Sequence, residues 1–169
     1  MMLVRKHERS VYNLVFRILK NKEVAEEVAQ DVFLKSFKEL KHLEDPSKYK
    51  PWLLKIAYRK SIDRVRLKKV QMAEIDELSI PVENHNATPD PLELLQKEQL
   101  KQQVEELLEQ LSEVDRGIMT LYYLEDFKVA EVAAVIGLSE NNVKIKLMRA
   151  RAFLKNELIQ RSTGKEDLY

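Results

Sequence analysis

Residues 127–154, FKVAEVAAVIGLSENNVKIKLMRARAFL, carry two stretches of helical periodicity separated by Gly137-Leu138-Ser139. The spacing predicts a short helix over roughly 128–136 and a longer basic helix from Glu140 onward. Gly137 suits the left-handed position that ends a helix, because it has no Cβ to clash, and Ser139 is a favoured N-cap for the next. This is the helix-turn-helix plan, whose second helix enters the DNA major groove.

At about 100° per residue, Val143, Leu147, Ala150 and Leu154 share one stripe of the second helix, the expected buried face. Opposite them lie Asn141, Lys144, Ile145, Met148 and Arg149, with Lys146 and Arg151 on the flanks. Amide, ammonium and guanidinium donors can read base edges, and Ile145 and Met148 can meet thymine methyl groups. The flanking cations are placed for phosphates. The competing reading is a solvated amphipathic helix with Ile145 and Met148 packed on a neighbour. Turn chemistry, cap and charge together favour the DNA-reading face.

The chain has 169 residues, enough for one ordinary domain or two small ones, and only 3 glycines, which with pervasive helical periodicity points to an all-α protein. Its formal net charge of +1 hides an uneven distribution. Residues 46–69 hold nine Lys/Arg against Asp63 alone, and residues 141–161 hold six against Glu157 alone. Residues 71–96 between them carry six acids and no Lys or Arg. Two basic patches with an acidic spacer suggest nucleic-acid contacts at two places. With 0 cysteines there is neither a disulfide framework nor a thiolate metal ligand. No apolar run approaches membrane-spanning length and no signal-peptide core heads the chain, so a cytoplasmic protein without membrane insertion is expected.

From the N-terminus, residues 3–19 form an amphipathic helix with Val4, Val11, Leu14, Val15, Ile18 and Leu19 inward. Asn21 can cap the next helix, about 22–41, with the core stripe Ala25, Val28, Ala29, Val32, Phe33, Ser36 and Phe37. Its other face gathers Glu23, Glu27, Gln30, Asp31, Leu34 and Lys38; an apolar Leu34 among acids suggests docking to a basic partner, and equally fits a solvated face with one stray leucine. Asp45-Pro46-Ser47 breaks the chain, and Pro51 sits in the first turn of a third helix, 51–69. Leu54, Ala57, Tyr58, Ser61, Ile62 and Val65 take one side; Trp52, Ile56, Arg59, Lys60, Asp63 and Arg66 take the other. A tryptophan heading a basic face can stack on a base or wedge a duplex step, or it can curl into the core.

Residues 71–91, with Pro81, Pro89 and Pro91, read as a flexible acidic linker. Helical periodicity returns from Leu92 (Leu95, Leu100, Val104, Leu107, Leu108, Leu111), and Ser112 caps a further helix to Leu124 with Ile118, Leu121 and Tyr122 inward. The organisation is therefore two small helical domains, 1–70 and 92–169, joined by a flexible linker over 71–91. Catalysis finds no support. His7, His42 and His85 have no metal-ligand spacing, no glycine-rich phosphate loop or nucleophile elbow is present, and no cofactor is implied.

Three segments in order resemble one family. AEEVAQDVFLKSF (25–37) is similar to region 2.2, WLLKIAYRKSIDRVRLKK (52–69) to regions 2.3–2.4, and LEQLSEVDRGIMTLYYLEDFKVAEVAAVIGLSENNVKIKLMRARAFL to region 4 of the extracytoplasmic-function (ECF, group IV) sigma-70 factors of bacterial RNA polymerase. The resemblance covers nearly the whole chain. It implies a sigma2-like bundle and a sigma4-like helix-turn-helix domain, and a factor that binds core RNA polymerase and directs promoter recognition and melting.

By position, core polymerase docking falls on Glu26, Glu27, Gln30, Asp31 and Leu34, which would meet the β′ clamp helices; the β flap is a further expected contact. The −10 element falls to Trp52 as the wedge, Arg59, Lys60 and Asp63 near bases, and Lys48, Lys50, Arg64 and Arg66 on phosphates, with loop 45–50 around a flipped base. The −35 element falls to Asn141, Lys144, Ile145, Lys146, Met148, Arg149 and Arg151. An anti-sigma factor is an implied partner. Arg59 stands where many members have asparagine, which points to a different −10 preference. The alternative from the residues alone is a stand-alone helix-turn-helix regulator with an N-terminal ligand-sensing or dimerisation domain.

Overall fold

A computed structural model describes residues 2–74 and 92–163, with side chains described over 4–72 and 98–162. Among the described residues the regular secondary structure is helical throughout, as the periodicity predicts. The principal helices are α1 (Met2–Leu19), α2 (Lys22–Glu39), α3 (Tyr49–Glu74), α4 (Leu92–Glu109), α5 (Glu113–Met119), α6 (Val129–Ile136) and α7 (Glu140–Thr163).

The ends follow local chemistry. Asn21 accepts the Val24 N–H at 2.9 Å and so satisfies an orphan donor at the start of α2. Asp45 accepts from the Ser47 N–H at 2.9 Å, turning the chain through a short 3₁₀ segment, Pro46–Lys48, into α3. Ser112 accepts the Asp115 N–H at 3.1 Å at the head of α5. The expected break between α6 and α7 is present: Gly137 has φ +81, and Ser139 Oγ accepts the Asn142 N–H at 3.2 Å.

Several boundaries differ from expectation. The second helix ends at Glu39 and closes with a 3₁₀ turn, Leu40–His42. The third helix begins at Tyr49, and it continues to Glu74, so residues 71–74 of the expected linker are helical. The remaining linker residues, 75–91, His85 among them, lie outside the described residues.

α1, α2 and α3 pack on one another, and α5, α6 and α7 do likewise, with α4 against α7. The two groups also pack together, α3 on α6 and α1 on α5, so one apolar core runs through both. Here α3 corrects its wheel. Ile56 and Leu53 are buried along with Leu54, Ala57 and Tyr58, because helices cover α3 on more than one side. Phe37, expected inward, is 46% exposed at the end of α2. On α7 the expected stripe holds: Val143, Leu147 and Ala150 are buried and Leu154 packs at the edge.

Ion pairs fasten the two groups. Arg17 donates to both Glu105 oxygens at 2.8 and 2.7 Å, and Lys20 Nζ lies 3.0 Å from Glu109. Lys69 reaches Glu113 at 3.2 Å, and Arg116 donates to the Ile18 carbonyl at 2.9 Å. A bidentate guanidinium–carboxylate fork is the strongest of these, since two parallel N–H···O bonds fix its geometry.

Candidate nucleic-acid interface

The recognition helix α7 presents the face the sequence selected. With Val143 and Leu147 pinned in the core, Asn141, Lys144, Met148 and Arg149 project outward and Ile145 lies half-covered. Met148 is 60% exposed, which a helix packed on a neighbour would not leave. Among the described residues, Asn141, Lys144 and Arg149 have no ion pair. The two flanks behave differently. Lys146 Nζ is 2.9 Å from Asp115 on α5, and the Arg151 guanidinium lies 5.6 Å from the ring centroids of both Tyr122 and Tyr123. Both cations therefore brace α7 against its support as well as bordering the reading face.

The support includes one irregular turn. Thr120–Leu124 is a π turn, in which the Glu125 N–H donates to the Thr120 carbonyl at 3.2 Å. It widens the helix end and brings Glu125 inward, before Asp126 at φ +56 turns the chain toward α6. The buried Glu125 carboxylate pairs with Lys50 at 2.9 Å, and Lys50 Nζ also sits 5.5 Å from the Phe127 ring centroid. Lys50 was expected on phosphate. In the free chain its charge pairs across the join between the two helical groups, where a buried carboxylate needs a cation.

On α3, Arg59, Asp63 and Arg66 are exposed, as is Lys48 just before the helix. Lys60 and Arg64 face α2 instead: Lys60 Nζ is 3.5 Å from Asp31 and Arg64 is 3.1 Å from Glu27. The sites assigned separately to docking and to −10 contacts thus meet in two ion pairs. This divides α2 into two columns. Glu27 and Asp31 reach cations of α3 while staying 59% and 56% exposed, and Glu26, Gln30 and Leu34 run beside them one turn apart, Leu34 being 59% exposed. Exposed ion pairs of this kind contribute about 0–1 kcal/mol and exchange readily with a partner's charges.

Trp52 is half-buried. It packs on the core edge with its ring 5.9 Å from that of Tyr49. Among the described residues, no ion pair or hydrogen bond joins the α7 set to the α3 set.

Sequence reasoning gave no role to His7, Glu105 or Arg116, and none to Tyr49 beyond its place in loop 45–50. Their signal is burial or a partner distant in sequence, which periodicity does not register. His7 is buried beside Tyr49, with ring centroids 5.4 Å apart. Burial, then Lys6 and Lys50, lowers its pKa, while Glu125 opposes the shift. Burial and the neighbouring Arg116 bring Lys20 down to about 8, against the pull of Glu105. Among the described residues there is no group of three His, Asp or Glu able to hold a metal, and no helix long and apolar enough to cross a membrane.

Comparison with known proteins follows the same division. Sigma-70 region 2 matches residues 3–70, and Sigma-70 region 4 matches residues 101–154. The chain is 32% identical over 145 residues to "ECF RNA polymerase sigma factor SigM" of Bacillus subtilis (strain 168), covering 86% of each protein. It is 30% identical over 156 residues to "Probable RNA polymerase sigma factor RfaY" of Xanthomonas campestris, spanning 91% of this chain and 39% of that protein. In fold it is similar to the sigma factor RpoE, solved in complex with the anti-sigma factor NepR from Bartonella quintana, with TM-score 0.77 over 93% of this chain, 94% of that one and 22% identity. Two helical groups in this order, each carrying a region match, and a relative of this identity over this length lead to one conclusion: the chain belongs to the ECF sigma-70 family of RNA polymerase sigma factors.

Proposed function

We propose that this chain docks core RNA polymerase through the exposed α2 face of Glu26, Glu27, Gln30, Asp31 and Leu34, in which Glu27 and Asp31 also pair with α3. It then reads a promoter at two places. The α7 face of Asn141, Lys144, Ile145, Met148 and Arg149 takes the −35 element, flanked by Lys146 and Arg151. The α3 face takes the −10 element: Trp52 is the wedge, Arg59, Lys60 and Asp63 lie near bases, and Lys48, Arg64 and Arg66 near phosphates. Lys50 joins them once it leaves Glu125. Opening the duplex needs no nucleotide hydrolysis, because the cost of unstacking is met by stacking and pocket contacts.

The observation that carries this reading is that one chain pairs a free recognition face with a second helical group whose Leu34 stands exposed among carboxylates. An anti-sigma factor fits the same reading. Of two solved proteins of this fold, RpoE is in complex with the anti-sigma factor NepR and CnrH with the cytosolic domain of CnrY. The β flap and the β′ clamp helices are the polymerase elements we assign to the α4–α7 group and to α2, and the setting is the cytoplasm.

Transcription in vitro with core polymerase tests the reading. Glu26→Ala/Leu34→Ala should abolish promoter-specific transcripts by loss of core binding. Lys144→Ala/Arg149→Ala should keep core binding and lose −35-dependent initiation. Specific binding of the free chain to duplex DNA at physiological salt, with no need for core enzyme, would instead make it a stand-alone regulator.

A further inference from the structure

Tyr49 stands where the −10 loop becomes α3, three residues before Trp52. It is 6% exposed. Its ring lies 5.4 Å from His7 of α1 and 5.9 Å from Trp52, the planes inclined at 51° and 44°. Its hydroxyl is 3.5 Å from Ser36 Oγ on α2. Because Ser36 already donates to the Phe33 carbonyl at 2.8 Å, its oxygen is left to accept from the phenol. One residue therefore touches all three helices of the first group.

Trp52 depends on that anchorage. Among the described residues its indole N–H makes no hydrogen bond, and the side chain is only partly buried. A half-exposed indole without a polar tether is held only by the surfaces it packs on. Tilted aromatic pairs favour a definite inclination, since the electropositive ring edge seeks the electronegative face. Tyr49 supplies such a partner, and its position is fixed from the far side by His7 and Ser36.

We propose that Tyr49 is a positioning residue for promoter opening, holding the Trp52 indole in the orientation from which it enters the base stack. This rests on the reading of Trp52 as the wedge. Although loop 45–50 is the stretch expected around a flipped base, the Tyr49 ring within it is buried and does not reach DNA; it acts through its neighbour. The expected effect is confined to the step in which the duplex is parted, because docking on α2 and −35 reading on α7 do not involve this aromatic row.

The experiment uses holoenzyme with the full chain and a promoter carrying 2-aminopurine in the −10 element, as duplex and with the −10 already unpaired. Tyr49→Met, whose flexible thioether fills the vacated space, should slow duplex opening by about 2- to 10-fold, the range expected for one aromatic pair. It should leave core affinity and binding to the unpaired promoter unchanged. Tyr49→Phe keeps the ring and its packing, losing only the long contact to Ser36, and should slow opening less than Tyr49→Met. Trp52 is the only tryptophan in the chain. Its fluorescence in free Tyr49→Met should therefore depolarise faster than in the parent.

Equal losses on paired and unpaired promoters would overturn the proposal in favour of a general folding role. So would parental opening by Tyr49→Met, or a loss in Tyr49→Phe as large as in Tyr49→Met. Parental opening by Trp52→Ala would instead remove the wedge reading itself, a separable result.

Discussion

Lys50 Nζ lies 2.9 Å from Glu125 Oε2, and the Glu125 side chain is only 6% exposed. The two residues are 75 positions apart, one in the first turn of α3 and the other leaving the π turn before α6. The pair therefore couples the two helical groups directly. Lys50→Ala leaves a buried carboxylate without its cation, whereas Lys50→Ala/Glu125→Gln removes the charge as well. The single variant should lose about 1–3 kcal/mol in urea unfolding, and the double variant should recover part of that loss. Additive losses would show that the pair is not coupled.

Gly117 on α5 tests the packing between the groups. A Cβ there would lie 3.2 Å from Tyr58 Cε2 and 3.4 Å from Cδ2, on a buried ring of α3. Alanine adds about 1 kcal/mol of helix preference. Forcing the tyrosine aside costs about 1–3 kcal/mol, so Gly117→Ala should be destabilising by about 1 kcal/mol in thermal unfolding. Tyr58→Leu in the same background should relieve the clash, and a stabilised single variant would show that the ring yields freely.

The pH dependence follows from two groups with lowered values. In the folded chain burial holds His7 below its ordinary 6.5. The unfolded chain then binds more protons as pH falls through about 6.5, and stability is lost on acidification. Lys20, at about 8 when folded, has the same sign in a higher window, so stability rises between about pH 8 and 10. Chemical unfolding across pH should show both slopes, with His7→Gln removing the first and Lys20→Met the second.

Within the α7 set, Arg149 and Arg151 should separate by their effects on binding. Arg149→Ala should cost about 1–3 kcal/mol and relax selectivity at a single −35 base pair. Arg151 borders the face and stacks near Tyr122 and Tyr123, so Arg151→Ala should weaken binding evenly across sequences and lower the thermal midpoint as well. Holoenzyme binding to a panel of single-base −35 variants, alongside thermal melts, distinguishes the two.

The helix content, the caps at Asn21, Ser112 and Ser139, the Gly137 turn and the reading face of α7 could all be read from residue order. Each depends on neighbours within about one turn, where propensity and periodicity act. The acidic face of α2 and the basic face of α3, whose proposed roles came from the family resemblance, were legible as separate faces. Their meeting in Glu27–Arg64 and Asp31–Lys60 was not, nor was the commitment of Lys50 to Glu125. These contacts join positions 29 or more apart, and only packing brings them together.

The same reason explains Ile56. A wheel assumes one buried face, and α3 is covered on more than one. By itself, then, the sequence determined which faces exist and what chemistry each carries, because those properties are local. The tertiary structure alone decided which cations pair within the chain, as Lys50, Lys60 and Arg64 do, and which stand exposed without an ion pair among the described residues, as Arg59, Lys144 and Arg149 do. That choice depends on which carboxylates burial brings within reach and leaves in need of a partner.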